Sequence, residues 1–330
     1  MPFDSMTCNG TPTVGGRSNT GTGGTPGNLR AMSRNGDHEA AAHRRVAGPT
    51  GTRFGEVRWF ERLDSTNRYL LDAARSGAPE GLVVVADHQT AGRGRLGRRW
   101  EAPPGRNLLV SVLLRPDLAA GSRHLASAVV ALAAADAIEV QSGVVPTVKW
   151  PNDLLAGGGG KLAGVLAETD LSGPGPPPVV VGVGMNVGWP GPDDELPDEL
   201  AGVATSLARL SARVVDREAL LDSLLAALEP RVSALAGPSG CDAVAGELRR
   251  RCSTVCRRVR VELADGSFEG TATDVTAEGH LVVDTGSGPR TVVAGDVVHL
   301  RTGDGGTAGG TTGGTTGGTD RAPGGTRAGE

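Results

Sequence analysis

The stretch TVKWPNDLLAGGGGKLAGVLAETD (147–170) decides the fold. TVKWPND (147–153) reads as a strand that runs into a turn at Pro151, because proline fixes φ and removes a ladder donor. Gly157 to Gly160 suit a flexible hairpin tip. KLAGVLAETD (161–170) and VVVGVGMNVG (179–188) then read as two strands of a hairpin, joined by a Pro/Gly loop. Hairpin-linked strands argue against a doubly wound parallel sheet and for an α+β architecture with a mixed β-sheet and flanking helices.

Upstream, VRWFERL (57–63) reads as a strand, and DSTN follows, where Asp64 or Ser65 can cap a helix with Tyr69, Leu70 and Ala73 on one side. GLVVVADHQ (81–89) and NLLVSVLLRP (107–116) are strands, and HLASAVVALAAADAIEV (124–140) is an Ala-rich helix against the sheet. A helix from about Asp216 to Ala236 closes the main domain, 57–236. From about Val255 the pattern changes to short strands with Gly turns, which predicts a small β-barrel over 253–301. Residues 1–50 and 303–330 are rich in Gly, Thr and Ser and lack apolar periodicity, so both are expected to be disordered.

The net charge of -4 gives no global basic field for nucleic acid or an anionic membrane. Cys8, Cys241, Cys252 and Cys256 show no zinc spacing; Cys252 and Cys256, four apart, suggest one face of a helix. A reducing cytoplasm fits, and no signal peptide is expected. The longest apolar stretch, near Ala128 to Ile138, is too short to span a bilayer. Among 33 basic residues only Lys149 and Lys161 are lysines, and they lie in one motif-dense segment. Either chance placed both lysines there, or these sites need a compact, rotatable ammonium that a planar guanidinium does not replace.

GRGRLGRR (92–99) places Arg93, Arg95, Arg98 and Arg99 among Gly92, Gly94 and Gly97. Glycines let backbone N–H groups approach an anion, and guanidinium groups grip phosphate or carboxylate; a solvated basic loop is the plainer alternative. GGGGKLAG is no Walker A loop, since Leu162 stands where Ser or Thr would hold the metal. KWPND (149–153) joins a cation, an aromatic ring, a turn proline and a carboxylate at a strand end, or is simply a strand and turn with Asp153 as its cap. GVGMNVG (182–188) is either a bulged buried strand or a surface that a flat ligand can approach.

DSTN, HQTAGRGRLGRRW, KWPNDLL, GKLAGVLAE, GVGMNV and ATSL (204–207), in that order, resemble the biotin–protein ligase family over about 57–301. The resemblance implies a class II aminoacyl-tRNA synthetase/biotin ligase-like sheet and a C-terminal SH3-like barrel. It implies an ATP-dependent ligase that forms biotinyl-5'-AMP with Mg²⁺ and passes biotin to a lysine of a biotin carboxyl carrier protein. Ser65, Thr66, Asn67 and Gln89 would hydrogen-bond the ureido ring. Arg93, Gly94 and Arg95 would bind the biotin carboxylate and then the adenylate phosphate, with Lys161 between the two. Gly164 and Asn186 would line the pocket. Trp100 would help cover the adenine, with Arg98, Lys149, Asn152 and Asn186 on the ATP side. Asp153 would face the acceptor lysine or the metal, which has no fixed protein site of its own. Lys161, Arg93, Arg95 and Asp153 are thus the expected catalytic set.

The chemistry requires such cations. A carboxylate and a phosphate about 4 Å apart repel by about 4 kcal/mol at an effective dielectric near 20. Rival readings are a lipoate or octanoate ligase or transferase of the same fold, and a biotin-sensing DNA-binding regulator. The second needs a recognition helix and a basic patch, and neither is read in the sequence. A homodimer is compatible with an exposed sheet edge.

Overall fold

The computed structural model describes residues 43–172 and 176–300. Its first sheet contains β1 (His43–Ala47), β2 (Glu56–Leu63), β3 (Val83–Gln89), β4 (Leu108–Leu114), β5 (Thr147–Lys149), β6 (Asp153–Leu155), β7 (Lys161–Thr169) and β8 (Val179–Met185). The strand order is β1-β2-β3-β4-β8-β7-β6-β5. Only β2 and β3 pair in parallel, and helix α1 (Thr66–Arg75) makes the crossover that a parallel pair requires. All other neighbours are antiparallel, as the hairpin reading of 161–188 anticipates.

Alternation along the strands divides the core between the two faces of the sheet. On β3, Val83 and Val85 join the larger core beneath α2 (Leu125–Ser142), while Val84 and Ala86 join Phe60, Tyr69 and Leu70 under α1. The 18 residues of α2 have a mean hydropathy of 1.4, and 72% of them are buried inside the fold. This helix is therefore longer than the apolar stretch read at Ala128 to Ile138, and it is long and apolar enough to cross a membrane. Its burial makes it a core helix. Its alanines let the sheet and α4 approach closely. The short α3 (Leu207–Leu210) precedes α4 (Arg217–Leu235), which Asp216 caps by accepting from the N–H groups of Glu218 and Ala219, both at 2.9 Å. Helix α5 (Gly240–Arg251), not foreseen from sequence, packs on α2 and α4.

The second sheet holds β9 (Arg258–Leu263), β10 (Gly266–Val275), β11 (Leu281–Asp284), β12 (Pro289–Val292) and β13 (Asp296–His299), in the order β12-β11-β10-β9-β13, all antiparallel. It is a small SH3-like sheet, but it does not close into the expected barrel. Its outer strands β12 and β13 have four residues each and do not pair, and β12 begins at Pro289, which has no N–H to donate.

Two further expectations are corrected. Residues 43–47, placed in the disordered extension, form the edge strand β1. There the His43 ring lies tilted against Phe60 with ring centroids 4.9 Å apart, and the Arg44 guanidinium sits 4.4 Å from the Trp59 ring centroid. Of the two expected tails, 1–42 and 303–330 lie outside the described residues. Cys252 and Cys256 share no helix face: Cys252 ends α5, and Cys256 sits in a turn with φ +65°.

Candidate active site

The N-terminus of α1 supplies the first wall of a cavity of about 190 Å³. Ser65 is the N-cap, and its hydroxyl accepts from the Arg68 N–H at 3.5 Å. Capping fixes the turn that buries Thr66 and Asn67 against β3, β4 and β7. Gln89 Oε1 accepts from the Thr66 N–H at 2.9 Å and lies 3.1 Å from Thr66 Oγ1. Ser111, fully buried in β4, places its hydroxyl 2.7 Å from Thr66 Oγ1 and 2.6 Å from Asn67 Oδ1. The Asn67 amide orientation is fixed, because its Nδ2 donates to Leu166 O at 3.2 Å and Glu168 Oε2 at 2.8 Å. Three oxygen–oxygen contacts therefore share two hydroxyl protons. The pocket offers more acceptor lone pairs than protons, the complement of a ligand carrying N–H groups.

The arginine loop forms the second wall. It is a tight turn closed by Gly94 N–H donating to Arg98 O at 2.7 Å and Trp100 N–H to Gly92 O at 3.1 Å. A Cβ on Gly92 would lie 2.3 Å from Trp100 O, so the turn requires glycine there. The Gly94 amide is engaged within the turn rather than presented to an anion. The anion-seeking groups are the side chains. Arg93 pairs with Glu168 Oε1 at 3.0 Å, and Glu168 thereby links the loop to Asn67. Arg95 reaches Asn152 Oδ1 at 3.3 Å and Asp296 Oδ1 at 3.4 Å, and Arg98 also pairs with Asp296.

The floor is a cross-strand pair of glycines, Gly164 on β7 and Gly184 on β8. The Trp100 indole lies on it: a Cβ on Gly184 would come within 2.4 Å of the ring and one on Gly164 within 2.9 Å. The flat group that approaches GVGMNVG is thus the protein's own tryptophan. The indole Nε1–H is buried without a hydrogen-bond partner, so an acceptor placed there would satisfy it.

The KWPND turn closes the site. The Trp150–Pro151 peptide is cis. Lys161 Nζ pairs with Asp153 Oδ1 at 2.8 Å and sits 5.5 Å from the Trp100 ring centroid. Asn152 is fixed by donating to Val165 O at 2.7 Å. Lys149 lines the same cavity, with no carboxylate partner for its ammonium among the described residues.

Ser65, Thr66, Asn67, Gln89, Arg93, Gly94, Arg95, Arg98, Trp100, Lys149, Asn152, Asp153, Lys161 and Gly164 all line this one cavity. Asn186 does not. Its Nδ2 donates to Lys161 O at 3.2 Å and Thr205 O at 3.0 Å, and its Oδ1 accepts from Asn107 at 3.2 Å. It holds the chain around Lys161 and does not face a ligand. The sequence reading missed Ser111, Glu168 and Asp296. Ser111 was legible as the polar residue within an apolar strand. Asp296 reaches the site from the C-terminal sheet, where Val297 and Val298 also line the cavity wall.

The comparisons with known proteins agree with this geometry. Residues 59–186 match the Biotin/lipoate A/B protein ligase family, and residues 257–300 match the Biotin protein ligase C terminal domain. A biotin–[acetyl-CoA-carboxylase] ligase of Mycobacterium tuberculosis is 42% identical over 246 residues, covering 72% of this chain and 86% of that one. A bifunctional ligase/repressor of Bacillus spizizenii is 32% identical over 235 residues, covering 71% of each chain. Among solved structures, the biotin protein ligase of Aquifex aeolicus in complex with biotin and ATP superposes with a TM-score of 0.64 at 26% identity, over 74% of this chain and 99% of that one. The chain belongs to the biotin protein ligases of the biotin/lipoate ligase family.

Proposed function

We propose that this ligase joins biotin to ATP as biotinyl-5'-AMP, releasing pyrophosphate, and then passes the biotinyl group to a lysine of a biotin carboxyl carrier domain. The observation that carries the reading is the convergence in one cavity of a proton-poor hydrogen-bonding network with Lys161, Arg93 and Arg95. A ureido ring offers two N–H groups to the Ser65–Thr66–Asn67–Gln89 end, which Ser111 backs from beneath. The biotin carboxylate then extends toward the cations.

In the first step a carboxylate oxygen attacks the α-phosphorus and pyrophosphate leaves. Lys161, Arg93 and Arg95 offset the repulsion between the two anions and hold them in line, so catalysis here is mainly positioning and charge stabilisation. The resident carboxylates Asp153, Glu168 and Asp296 hold these cations in place beforehand. Mg²⁺ supplies charge neutralisation on the phosphates.

In the second step the ε-amine of the acceptor lysine attacks the acyl carbon and AMP leaves. Asp153 orients the incoming ammonium or takes its proton. The Trp100 indole shields the mixed anhydride from water, since it already covers the glycine floor. The proposal places the reaction in the cytoplasm, with a carboxylase carrier as partner and with neither nucleic acid nor membrane required. Its test is the mass of a purified biotin carboxyl carrier domain after incubation with the protein, biotin and Mg-ATP. Gain of one biotinyl group, dependent on both small molecules, supports the reading; an unmodified carrier contradicts it.

A further inference from the structure

The turn that carries Lys149, Asn152 and Asp153 is held largely from outside its own sheet. Val148 O accepts from the Ser253 N–H at 2.8 Å, and Val148 bridges Cys252. The Trp150 N–H donates to Thr254 Oγ1 at 3.0 Å, and its indole Nε1 donates to Gly279 O at 3.0 Å. Thr254 is fully buried, and its Oγ1 lies 3.0 Å from His299 Nε2 on β13. Neither Thr254 nor His299 lines the cavity.

The direction of this chain follows from counting protons. The Thr254 oxygen accepts the Trp150 amide hydrogen, which leaves its single hydroxyl proton to donate. With the ring neutral and its hydrogen on Nδ1, His299 Nε2 is the acceptor 3.0 Å away that can receive it. A doubly protonated ring would present N–H to the same oxygen and leave the buried hydroxyl proton without an acceptor. Burial keeps the ring neutral, and the neighbouring cations Lys149 and Arg257 act in the same sense; together they lower its pKa to about 4.

We propose that His299 is a positioning residue for adenylation: through the Thr254 hydroxyl it fixes the Trp150 amide, and with it the reach of Lys149, Asn152 and Asp153 along the cavity wall. The C-terminal sheet thereby sets the geometry of a turn in the catalytic sheet. The inference rests on the adenylate-forming reading above.

The test uses the full chain and biotin-dependent pyrophosphate exchange, with kcat, both KM values and melting temperatures measured for His299→Leu, His299→Gln, Thr254→Val and the double variant Thr254→Val/His299→Leu. His299→Leu removes the acceptor and is expected to lower kcat/KM for ATP by about 10- to 100-fold, the scale of a small misplacement of reacting groups. KM for biotin should stay within about twofold, because the ureido network sits on α1, β3 and β4. His299→Gln, whose Oε1 can take the hydroxyl proton, should recover most of the rate. The double variant should be no worse than Thr254→Val, since both act on one chain of hydrogen bonds. Wild-type rates in His299→Leu overturn the inference, as do equal losses in the Leu and Gln variants. A rise in KM for biotin matching the loss for ATP also overturns it. If Thr254→Val fails to fold, the Leu and Gln comparison at the partly exposed His299 decides alone. Absence of exchange in the wild type would overturn the ligase reading itself and this inference with it.

Discussion

At the scale of single residues the site is a set of cations held in advance by carboxylates. Lys161 pairs with Asp153, Arg93 with Glu168, and Arg95 and Arg98 with Asp296. On the proposed reading, an arriving carboxylate and triphosphate would meet oriented charges and need not recruit them. On that reading Lys161 has the tightest demand, because its ammonium, paired with Asp153 and 5.5 Å from the Trp100 ring centroid, would also have to reach the reacting oxygens. Lys161→Arg should therefore lower biotin-dependent exchange by about 100-fold or more, with an unchanged melting temperature. Rates near wild type would show that a planar cation suffices. The scarcity of lysine pointed to both Lys149 and Lys161, and both line the cavity. Asp296 was hidden for a physical reason. Its partners are about two hundred positions away in sequence, and nothing local distinguishes a strand carboxylate that faces arginines from one that faces water.

At the scale of elements, the paired glycines of β7 and β8 show how sequence pattern becomes shape. Removing two side chains from adjacent antiparallel strands opens a slot one ring thick, and Trp100 fills it. Gly184→Ala places a methyl group within 2.4 Å of that ring and forces the indole away. The expected outcome is a shifted tryptophan emission, a raised KM for biotin or ATP, and a stability loss of about 1–3 kcal/mol from overpacking. Unchanged emission and kinetics would contradict this placement of Trp100. The central strands and α2 were legible because buried apolar runs dominate them. Strand β1 was not, since HRRVA carries two arginines and a histidine among its five residues and gains its partners only at the sheet edge. Helix α5 was missed because its apolar positions are few and Gly240 opens it, so only packing on α2 and α4 fixes it. The C-terminal segment was read correctly as short strands with Gly turns, but it was expected to be a closed barrel. Whether that unit closes depends on pairing between its first and last edges, which strand composition does not encode.

For the whole molecule, the central feature is that one cavity is walled by both sheets. Removing residues 1–42 should leave exchange activity unchanged. Removing 1–50 also deletes β1, with its Arg44–Glu218 ion pair at 2.6 Å and its cover over Trp59, and should lower the melting temperature by about 2 °C or more. Equal melting temperatures for the two truncations would contradict a structural role for β1. The contact between the sheets also predicts a pH response. Burial lowers the pKa of His299 to about 4, reinforced by Lys149 and Arg257; burial also lowers that of His124, reinforced by His280, on which it stacks with centroids 4.8 Å apart. Both rings are favoured neutral in the folded state, so the unfolded chain binds more protons below about pH 6.5. Stability should be full above that pH and should fall as pH drops from 6.5 toward 4. Thermal melts across that range measure it, with His299→Gln showing a shallower decline. A flat profile would contradict the burial of these rings. The central claim, that this cavity adenylates biotin, is tested most directly by pyrophosphate exchange with Mg-ATP and with biotin, lipoate or octanoate supplied singly. Exchange is expected with biotin alone; exchange with lipoate or octanoate in place of biotin, or with none of the three, would rule biotin adenylation out.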